Sequence, residues 1–249
     1  MEILKTTLLG LFFGTFGTML GGVIGIRFQN ASKKFLSSIL ALASGLMTAI
    51  ACFDLIPEAM EIAGIRFTLL GILVGILGIL FCDRIVERKF QAKEKQEKKG
   101  SGKFDLLKTG IIISIGLALH NIPEGLAIGS GFDASIKLGL SLAVAIAIHD
   151  IPEGISMAIP MKSGGMKSGE ILFYIFLSGI ATGLGAFFGA IVGKISEQVI
   201  AMCLAFAGGA MLYIVSGELS PEYNHLYTGK LPSIFNIIGF VLGILATTL

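Results

Sequence analysis

The chain has 249 residues, of which 54% are hydrophobic and 14% charged, with 34 glycines and a mean hydropathy of +0.86. This composition excludes an ordinary soluble domain and indicates a polytopic membrane protein. The net charge is only +2, and the three cysteines lie in apolar runs without paired spacing, which excludes a disulfide framework or a thiolate zinc site.

Eight apolar segments follow one another along the chain. They lie near residues 7–27, 35–57, 67–86, 106–130, 137–160, 171–193, 197–220 and 232–248. Each has the roughly 20 residues that a helix needs to cross the hydrocarbon of a bilayer. The sequence therefore predicts an all-α polytopic membrane protein with eight transmembrane helices, forming a single domain over residues 1–249.

Lysine and arginine residues are distributed unevenly between the loops that join these segments. If the N-terminus lies outside, 15 of the 19 fall on the inner side, nine of them between Arg84 and Lys108. This bias predicts a protein of the cell (plasma) membrane with both termini extracytoplasmic. The basic stretch of about 87–105 then forms a solvated inner loop.

The chain also contains a distant internal repeat. Residues 43–47 and 54–58 match residues 207–211 and 218–222 at an offset of 164 positions. The matched helices cross the membrane in opposite senses, so the sequence predicts a 3+2+3 inverted-repeat arrangement with helices four and five at its centre. Inverted repeats around a polar midplane site are frequent in secondary transporters.

The repeat carries two acidic pairs next to prolines, Asp54 with Glu58 and Glu218 with Glu222. Their simplest interpretation is helix termination at a membrane face. The functional interpretation is an outer entrance at Asp54 and Glu58 and an inner exit at Glu218, Glu222 and His225, where acidic groups would raise the local cation concentration.

Two near-copies of one polar hexapeptide interrupt the fourth and fifth apolar segments, 29 residues apart. They read His120-Asn121-Ile122-Pro123-Glu124-Gly125 and His149-Asp150-Ile151-Pro152-Glu153-Gly154. In a helix, the histidine and glutamate of each copy stand at i and i+4 on one face, and each proline predicts a kink there. An ionised residue in mid-membrane costs roughly 2.5–3.5 kcal/mol, so these groups should face inward, toward a cation.

The donor types narrow the choice of ion. Imidazole, carboxylate and amide oxygen suit Zn²⁺, Fe²⁺, Mn²⁺, Co²⁺ or Cd²⁺, whereas an all-oxygen cage favours Mg²⁺ or Ca²⁺ and clustered thioethers or thiolates favour Cu⁺. Zn²⁺ matches best, as the carried substrate. Because the ligands must lose their protons, ion binding should depend on pH.

Three classes of function remain open on these residues: a secondary metal-ion transporter, a membrane-embedded metal-dependent hydrolase, and a metal sensor or scaffold. The hydrolase would also need His and Glu with an open coordination position, but the sequence contains no H-E-x-x-H. ATP-driven pumping is not indicated, since no G-x-x-x-x-G-K-[ST] is present.

The paired hexapeptides, set in eight spans with a charged loop after the third, closely resemble the ZIP (Zrt/Irt-like) metal-ion transporters, particularly the bacterial branch. The resemblance covers essentially the whole chain. It implies transport of a divalent metal ion toward the cytoplasm and an elevator-like motion of one helix group against the other. It also implies a set of metal ligands: Met47, His120, Asn121, Glu124, His149, Asp150 and Glu153.

The sequence departs from some bacterial members at Thr182, where those relatives carry a glutamate that completes a second metal position. We therefore expect one tight site, with Asn121 and Asp150 available to a weaker or transient second ion. The expected partners are the ion and the lipid bilayer, and not nucleic acid. Proton coupling and the oligomeric state, including a homodimer, are left open by the sequence.

Overall fold

The computed structural model describes residues 2–28, 31–94 and 102–247, and in this part of the chain the regular structure is helical, without strands. The nine α-helices of the described residues are α1 (Ile3–Arg27), α2 (Lys33–Ile50), α3 (Ile56–Glu94), α4 (Gly102–Ala134), α5 (Ile136–Ser163), α6 (Ser168–Val192), α7 (Glu197–Ile214), α8 (Ser220–Leu226) and α9 (Leu231–Thr247). The predicted inner loop of about 87–105 overlaps the ends of α3 and α4, and its centre, residues 95–101, lies outside the described residues.

Long apolar helices dominate the molecule. Five helical stretches of the described residues are long and apolar enough to cross a membrane: Ile3–Arg27, Lys33–Cys82, Ile136–Ser163, Ser168–Val192 and Glu197–Leu226. A shorter apolar helix covers Leu231–Ala246. Large side chains such as Leu73, Phe81 and Phe188 are more than half exposed on the outside, as expected of helices that face lipid tails. The protein is therefore a multi-pass helical membrane protein.

Two π-helical turns, Ala51–Leu55 and Val215–Leu219, follow α2 and α7. The chain does not leave the helical conformation at Pro57 or Pro221, in contrast to the termination that the acidic pairs suggest. The first break after α2 comes at Gly64, whose φ of 76° lies in a region that only glycine enters without steric cost. His225 falls between the apolar segments at 197–220 and 232–248, where the sequence predicts a loop, but it lies in the last turn of α8.

The helices pack in a regular pattern. Helix α1 contacts α5 and α6, α4 contacts α6 and α5, α2 runs along α9, and α3 runs along α7. Helix α5 is the most enclosed of the candidate spans, with 83% of its most apolar window buried. Only Ser135 separates α4 from α5, and its Oγ accepts a hydrogen bond of 3.0 Å from the N–H of Leu138 at the start of α5.

Glycines let the central helices approach very closely. A methyl group on Gly125 of α4 would collide with the backbone carbonyl of Thr182 in α6, and one on Gly154 of α5 would collide with the carbonyl of Thr18 in α1. Close backbone approach at small residues is a common way to pack membrane helices. It brings α1, α4, α5 and α6 together around the two polar hexapeptides.

Candidate metal centre

Both hexapeptides lie inside continuous helices, the first in α4 and the second in α5. Pro123 and Pro152 have no N–H to donate to the carbonyl four residues earlier, so each helix lacks one backbone hydrogen bond beside its polar side chains. All six predicted ligands of the two hexapeptides are buried, at no more than 3% exposure: His120, Asn121, Glu124, His149, Asp150 and Glu153.

Three of these side chains converge. Glu124, His149 and Glu153 each offer a ligand atom, and the three atoms lie within 4.8 Å of one another. The Nε2 atom of His149 is 3.0 Å from Oε1 of Glu124 and 3.5 Å from Oδ1 of Asp150. One nitrogen and several carboxylate oxygens from two adjacent helices thus surround one small volume.

The ring of His149 is oriented by its own helix. Its Nδ1 atom is 3.3 Å from the carbonyl oxygen of Ala145, one turn earlier in α5. A carbonyl oxygen only accepts, so Nδ1 carries the hydrogen and Nε2 faces the carboxylates. Such a bond on the second ring nitrogen is the usual way in which a metal-binding histidine is held in its tautomer.

Many oxygens of this cluster have no hydrogen-bond partner in the described structure. They are Oδ1 of Asn121, Oε2 of Glu124, both carboxylate oxygens of Asp150 and both of Glu153. Buried polar atoms are normally paired, and an unpaired buried carboxylate is costly. A bound dication would satisfy several of these oxygens at once and offset their charge.

His120 lies beside this group and contacts a different helix. Its Nε2 atom is 3.2 Å from Oε1 of Glu218, which lies in the second π-helical turn. Its Nδ1 has no hydrogen-bond partner among the described residues. The functional interpretation of the acidic pairs put Glu218 at an inner exit, but nothing in the sequence indicated that it reaches a hexapeptide histidine. The contact joins residues 98 positions apart, and only the folded chain reveals it.

The remaining predicted residues lie in other surroundings. Met47 is fully buried in an apolar cluster that includes Ile50, Ile146 and Met211. Asp54 is half-buried in the first π-helical turn, and its Oδ2 atom has no hydrogen-bond partner. Thr182 is fully buried, its Oγ1 lacks a partner, and it packs against α1 at Gly14.

Ser178 is a contact of the site that the sequence did not indicate. It lies on α6 and is buried, and its backbone carbonyl oxygen is 3.0 Å from Nδ2 of Asn121. In this part of α6 the sequence draws attention to Thr182 and to the glycines at 179 and 183, but not to Ser178. Nothing in the local sequence pattern indicates that the Ser178 carbonyl accepts a hydrogen bond from a side chain of another helix.

Comparison with known proteins identifies relatives of this chain. A protein family described as ZIP Zinc transporter matches residues 91–249. The chain is 40% identical over 137 residues to zinc transporter ZIP11 of Bos taurus and 38% identical over 137 residues to that of Homo sapiens. Each match covers 52% of this chain and 40% of the relative. The chain therefore spans about two fifths of the length of those proteins.

A second group of relatives matches nearly end to end. Zinc transporter ZupT of Salmonella heidelberg (strain SL476) is 28% identical over 240 residues, which cover 92% of this chain and 93% of that protein. The relatives are named as transporters and not as enzymes, and the hydrolase alternative has no support among them. Because the family match takes in more than half of its residues, the chain belongs to the ZIP zinc transporter family.

Proposed function

We propose that this protein carries a divalent transition-metal ion, with Zn²⁺ as the preferred substrate, across the membrane toward the cytoplasm. The observation that carries the proposal is the buried convergence of Glu124, His149 and Glu153, whose ligand atoms lie within 4.8 Å of one another. Mixed nitrogen and oxygen donors suit Zn²⁺ and also Fe²⁺, Mn²⁺, Co²⁺ and Cd²⁺. The names of the ZIP11 and ZupT relatives support zinc.

We propose the following ligand roles. Glu124, Glu153 and Nε2 of His149 form the core of the site, and Asp150, 3.5 Å from His149 Nε2, contributes a further carboxylate. His120 completes the set on the α4 side, while Asn121 Oδ1 and Asp150 are available to a weaker or transient second ion. Met47 of α2 lies in an apolar cluster and supplies its thioether sulfur as a ligand when the ion passes.

Ion binding in this centre displaces a proton. Nδ1 of His149 donates to Ala145, so the 3.0 Å contact between His149 Nε2 and Glu124 needs a hydrogen on one of those two atoms. A cation that takes the lone pairs of both groups must replace that hydrogen. Zn²⁺ binding to the purified protein in weak buffer should therefore release protons.

The architecture that we propose is eight spans in a 3+2+3 inverted repeat. Exchanging α1 with α6, α2 with α7, α3 with α9 and α4 with α5 maps the main helix contacts onto one another, which supports this arrangement. The π-helical turns support it too, because Ala51–Leu55 and Val215–Leu219 are 164 positions apart, the offset of the sequence repeat.

The proposed route ends at the cytoplasm. We place the protein in the plasma membrane with both termini outside, so that α4 runs outward and His120 lies nearer the inner face than Glu124. Glu218, in contact with His120 and 36% exposed at its side chain, then receives the ion on the inner side. Because Thr182 offers a hydroxyl and no charge, the proposal includes one tight ion site, and two equally tight sites in a metal titration would contradict it.

Uptake of radioactive zinc into proteoliposomes tests the transport. We expect flux with the wild-type protein and none with His120→Ala or Glu153→Ala, while Glu197→Ala, an exposed residue at the start of α7, serves as the matched control. A wild-type protein that binds zinc without flux would favour the sensor function instead. The assembly that we propose is a homodimer. The molar mass of the purified protein, measured by light scattering, tests it.

A further inference from the structure

Four basic residues lie in the two corners of the chain that join α1 to α2 and α8 to α9. Arg27 is the last residue of α1, and Lys33 and Lys34 are the first two of α2. Lys230 directly precedes α9, and all four residues are exposed. Among the side chains that the structure describes, no carboxylate forms an ion pair with any of them. Their charges therefore have no direct partner of opposite sign there.

The two corners lie at the same end of the helix bundle. Helices α2 and α9 pack side by side and run in the same direction, because Gly239 of α9 faces Leu42 of α2 and Gly243, one turn later, faces Leu46. The first residues of both helices are therefore at one end, which under the proposed orientation is the inner side of the membrane.

Two contacts hold the corners together. The Oγ of Ser37 in α2 donates a hydrogen bond of 2.6 Å to the backbone carbonyl of Tyr223 in α8. The Nζ of Lys34 lies 5.8 Å from the centre of the Tyr227 ring, within the range of a cation–π contact. Lys230 follows Tyr227 by three residues, so the charges of Lys34 and Lys230 belong to one continuous surface.

An aromatic pair adjoins these charges. The rings of Phe28, which follows α1, and Phe35 of α2 are stacked with their centres 5.9 Å apart. They are 54% and 37% exposed, respectively. Aromatic side chains at the end of a spanning helix are typical of the boundary between lipid headgroups and hydrocarbon. We call this surface the basic corner; it consists of Arg27, Phe28, Lys33, Lys34, Phe35 and Lys230.

Helix stability does not explain the two lysines at the start of α2. A helix N-terminus carries a partial positive charge and favours acidic side chains, yet the first turn of α2 contains none. Ser32 caps this helix and accepts a hydrogen bond of 3.2 Å from the N–H of Phe35. The positive-inside bias requires cations on one side of the membrane, but it does not require that they adjoin exposed aromatic rings. A partner that is both anionic and apolar gives both features a role.

We propose that the basic corner binds an anionic phospholipid, with the headgroup phosphate among the four cations and the acyl chains along Phe28 and Phe35. Clusters of about four or more basic residues next to a spanning helix attract anionic lipids in this way. The exposed rings favour a lipid over a dissolved phosphate ion, because only the lipid also covers apolar surface. The proposal goes beyond the transport function and does not depend on the metal centre.

Native mass spectrometry of the purified full-length protein in detergent tests the lipid site. Dioleoyl phosphatidylglycerol is the anionic probe and dioleoyl phosphatidylcholine the zwitterionic one, and the wild-type protein should bind the anionic lipid more tightly. Lys33→Gln combined with Lys34→Gln should weaken phosphatidylglycerol binding by about 25-fold, because each basic residue near a membrane surface contributes about fivefold to this attraction. Phosphatidylcholine binding should not change.

The matched control is Lys5→Gln combined with Lys194→Gln. It removes the same charge from exposed positions at the opposite end of the bundle, at the start of α1 and just after α6. Phosphatidylglycerol binding should remain as in the wild-type protein. An equal loss in this control would show a general effect of net charge and overturn the proposal.

Two further measurements separate a lipid from other occupants. Lys33→Arg combined with Lys34→Arg keeps the charges and should bind phosphatidylglycerol as the wild-type protein does. Inorganic phosphate, an anion without acyl chains, should not displace the lipid at equal concentration.

Four other results would overturn the proposal: equal binding of the two lipids to the wild-type protein, undiminished binding by the glutamine variant, an equal loss in the arginine variant, or displacement of the lipid by inorganic phosphate. If the glutamine variant does not fold, the lipid comparison and the phosphate competition on the wild-type protein decide. None of these measurements involves zinc, so a failure of the proposed transport would leave their outcome unchanged.

Discussion

Glu153 is the residue in which the requirements of stability and function oppose each other most clearly. It is 1% exposed, and both of its carboxylate oxygens lack a hydrogen-bond partner. In the absence of an ion the charge of this group weakens the fold, because a buried carboxylate loses its hydration without gaining a partner. In the proposed centre, the same group becomes a ligand when an ion is bound.

We therefore expect Glu153→Gln to be at least as stable as the wild-type protein without zinc and less stable than it with zinc. Without zinc, the variant should unfold at a temperature equal to or higher than the wild-type protein, since a buried charge is removed. With zinc, only the wild-type protein should be stabilised, by about 2.7 kcal/mol at an ion concentration 100 times its dissociation constant. Thermal unfolding in detergent, with and without zinc, measures both effects.

The control for this variant is Glu170→Gln, at an exposed residue in the first turn of α6. It should respond to zinc as the wild-type protein does. If Glu153→Gln were instead stabilised by zinc to the same extent as the wild-type protein, Glu153 would not be a ligand.

Sequence reasoning identified the residues of the hexapeptides but not their partners. The spacing of His149 and Glu153 placed both on one helix face, and the structure brings them together with Glu124. The contacts of His120 with Glu218 and of Asn121 with Ser178 depend on how α4 meets two distant helices. Helical periodicity describes one helix at a time and carries no information about such pairs.

At the scale of the helices, the close approach of α4 to α6 positions half of the centre. Gly125 and Gly129 of α4 face backbone atoms of Thr182 and Ala186, and Gly185 and Gly189 of α6 face the backbone of α4 in return. Glycines recur at helical spacing in α6, a pattern that predicts close packing of this helix against a neighbour. It could not show which pair of helices uses each glycine.

We expect Gly125→Ala to destabilise the protein and to weaken zinc binding. Its new methyl group would overlap the Thr182 carbonyl and force the two helices apart, and overpacking of this kind typically costs about 1–3 kcal/mol. Separation of the helices would also lengthen the hydrogen bond that Asn121 makes with Ser178. The midpoint of thermal unfolding and the zinc affinity measure the two effects.

Gly116→Ala, also on α4, is the matched control. Apart from the chain neighbours and the nearby backbone of α4 itself, no atom of the described residues lies within 4 Å of a methyl group built at this position. The substitution should therefore be neutral or stabilise the helix by about 0.5–1 kcal/mol. Equal loss of stability in both variants would indicate a general intolerance of α4 and not a specific contact with α6.

The helices themselves were largely predictable, because long apolar runs have few other solutions in a bilayer. The two π-helical turns and the break at Gly64 were not predicted. Proline next to an acidic pair suggests the end of a helix, but here the widened turns keep the chain helical through Pro57 and Pro221. The local sequence favours a break, and packing against neighbouring helices opposes it.

At the scale of the whole molecule, the positions of the basic residues predict the orientation in the membrane. We expect that a membrane-impermeant maleimide added to intact cells will label Lys194→Cys, near the outer end of α6, and will not label Lys167→Cys, near its inner end. Both positions are exposed in the structure, so burial does not explain a difference. Both variants are made in a protein whose native cysteines have been replaced.

Permeabilised cells provide the control, since both variants should then be labelled to the same extent. Labelling of Lys167→Cys in intact cells would reverse the proposed orientation and the direction of the exit at Glu218. The orientation follows from charge counts alone, and the helix packing would be equally compatible with either direction.

The single residue between α4 and α5 has a consequence for how an ion could be released. Because Ser135 alone connects them, the two helices form a tight hairpin. The ligand atoms that they carry cannot separate widely unless the packing of α4 against α5 is lost. A gate that worked by pulling the ligands apart would have to unfold the hairpin ends. Under the proposed function, we expect the helices around the hairpin, such as α2 and α7, to open and close access to the ion, while the hairpin moves with the ion as a unit.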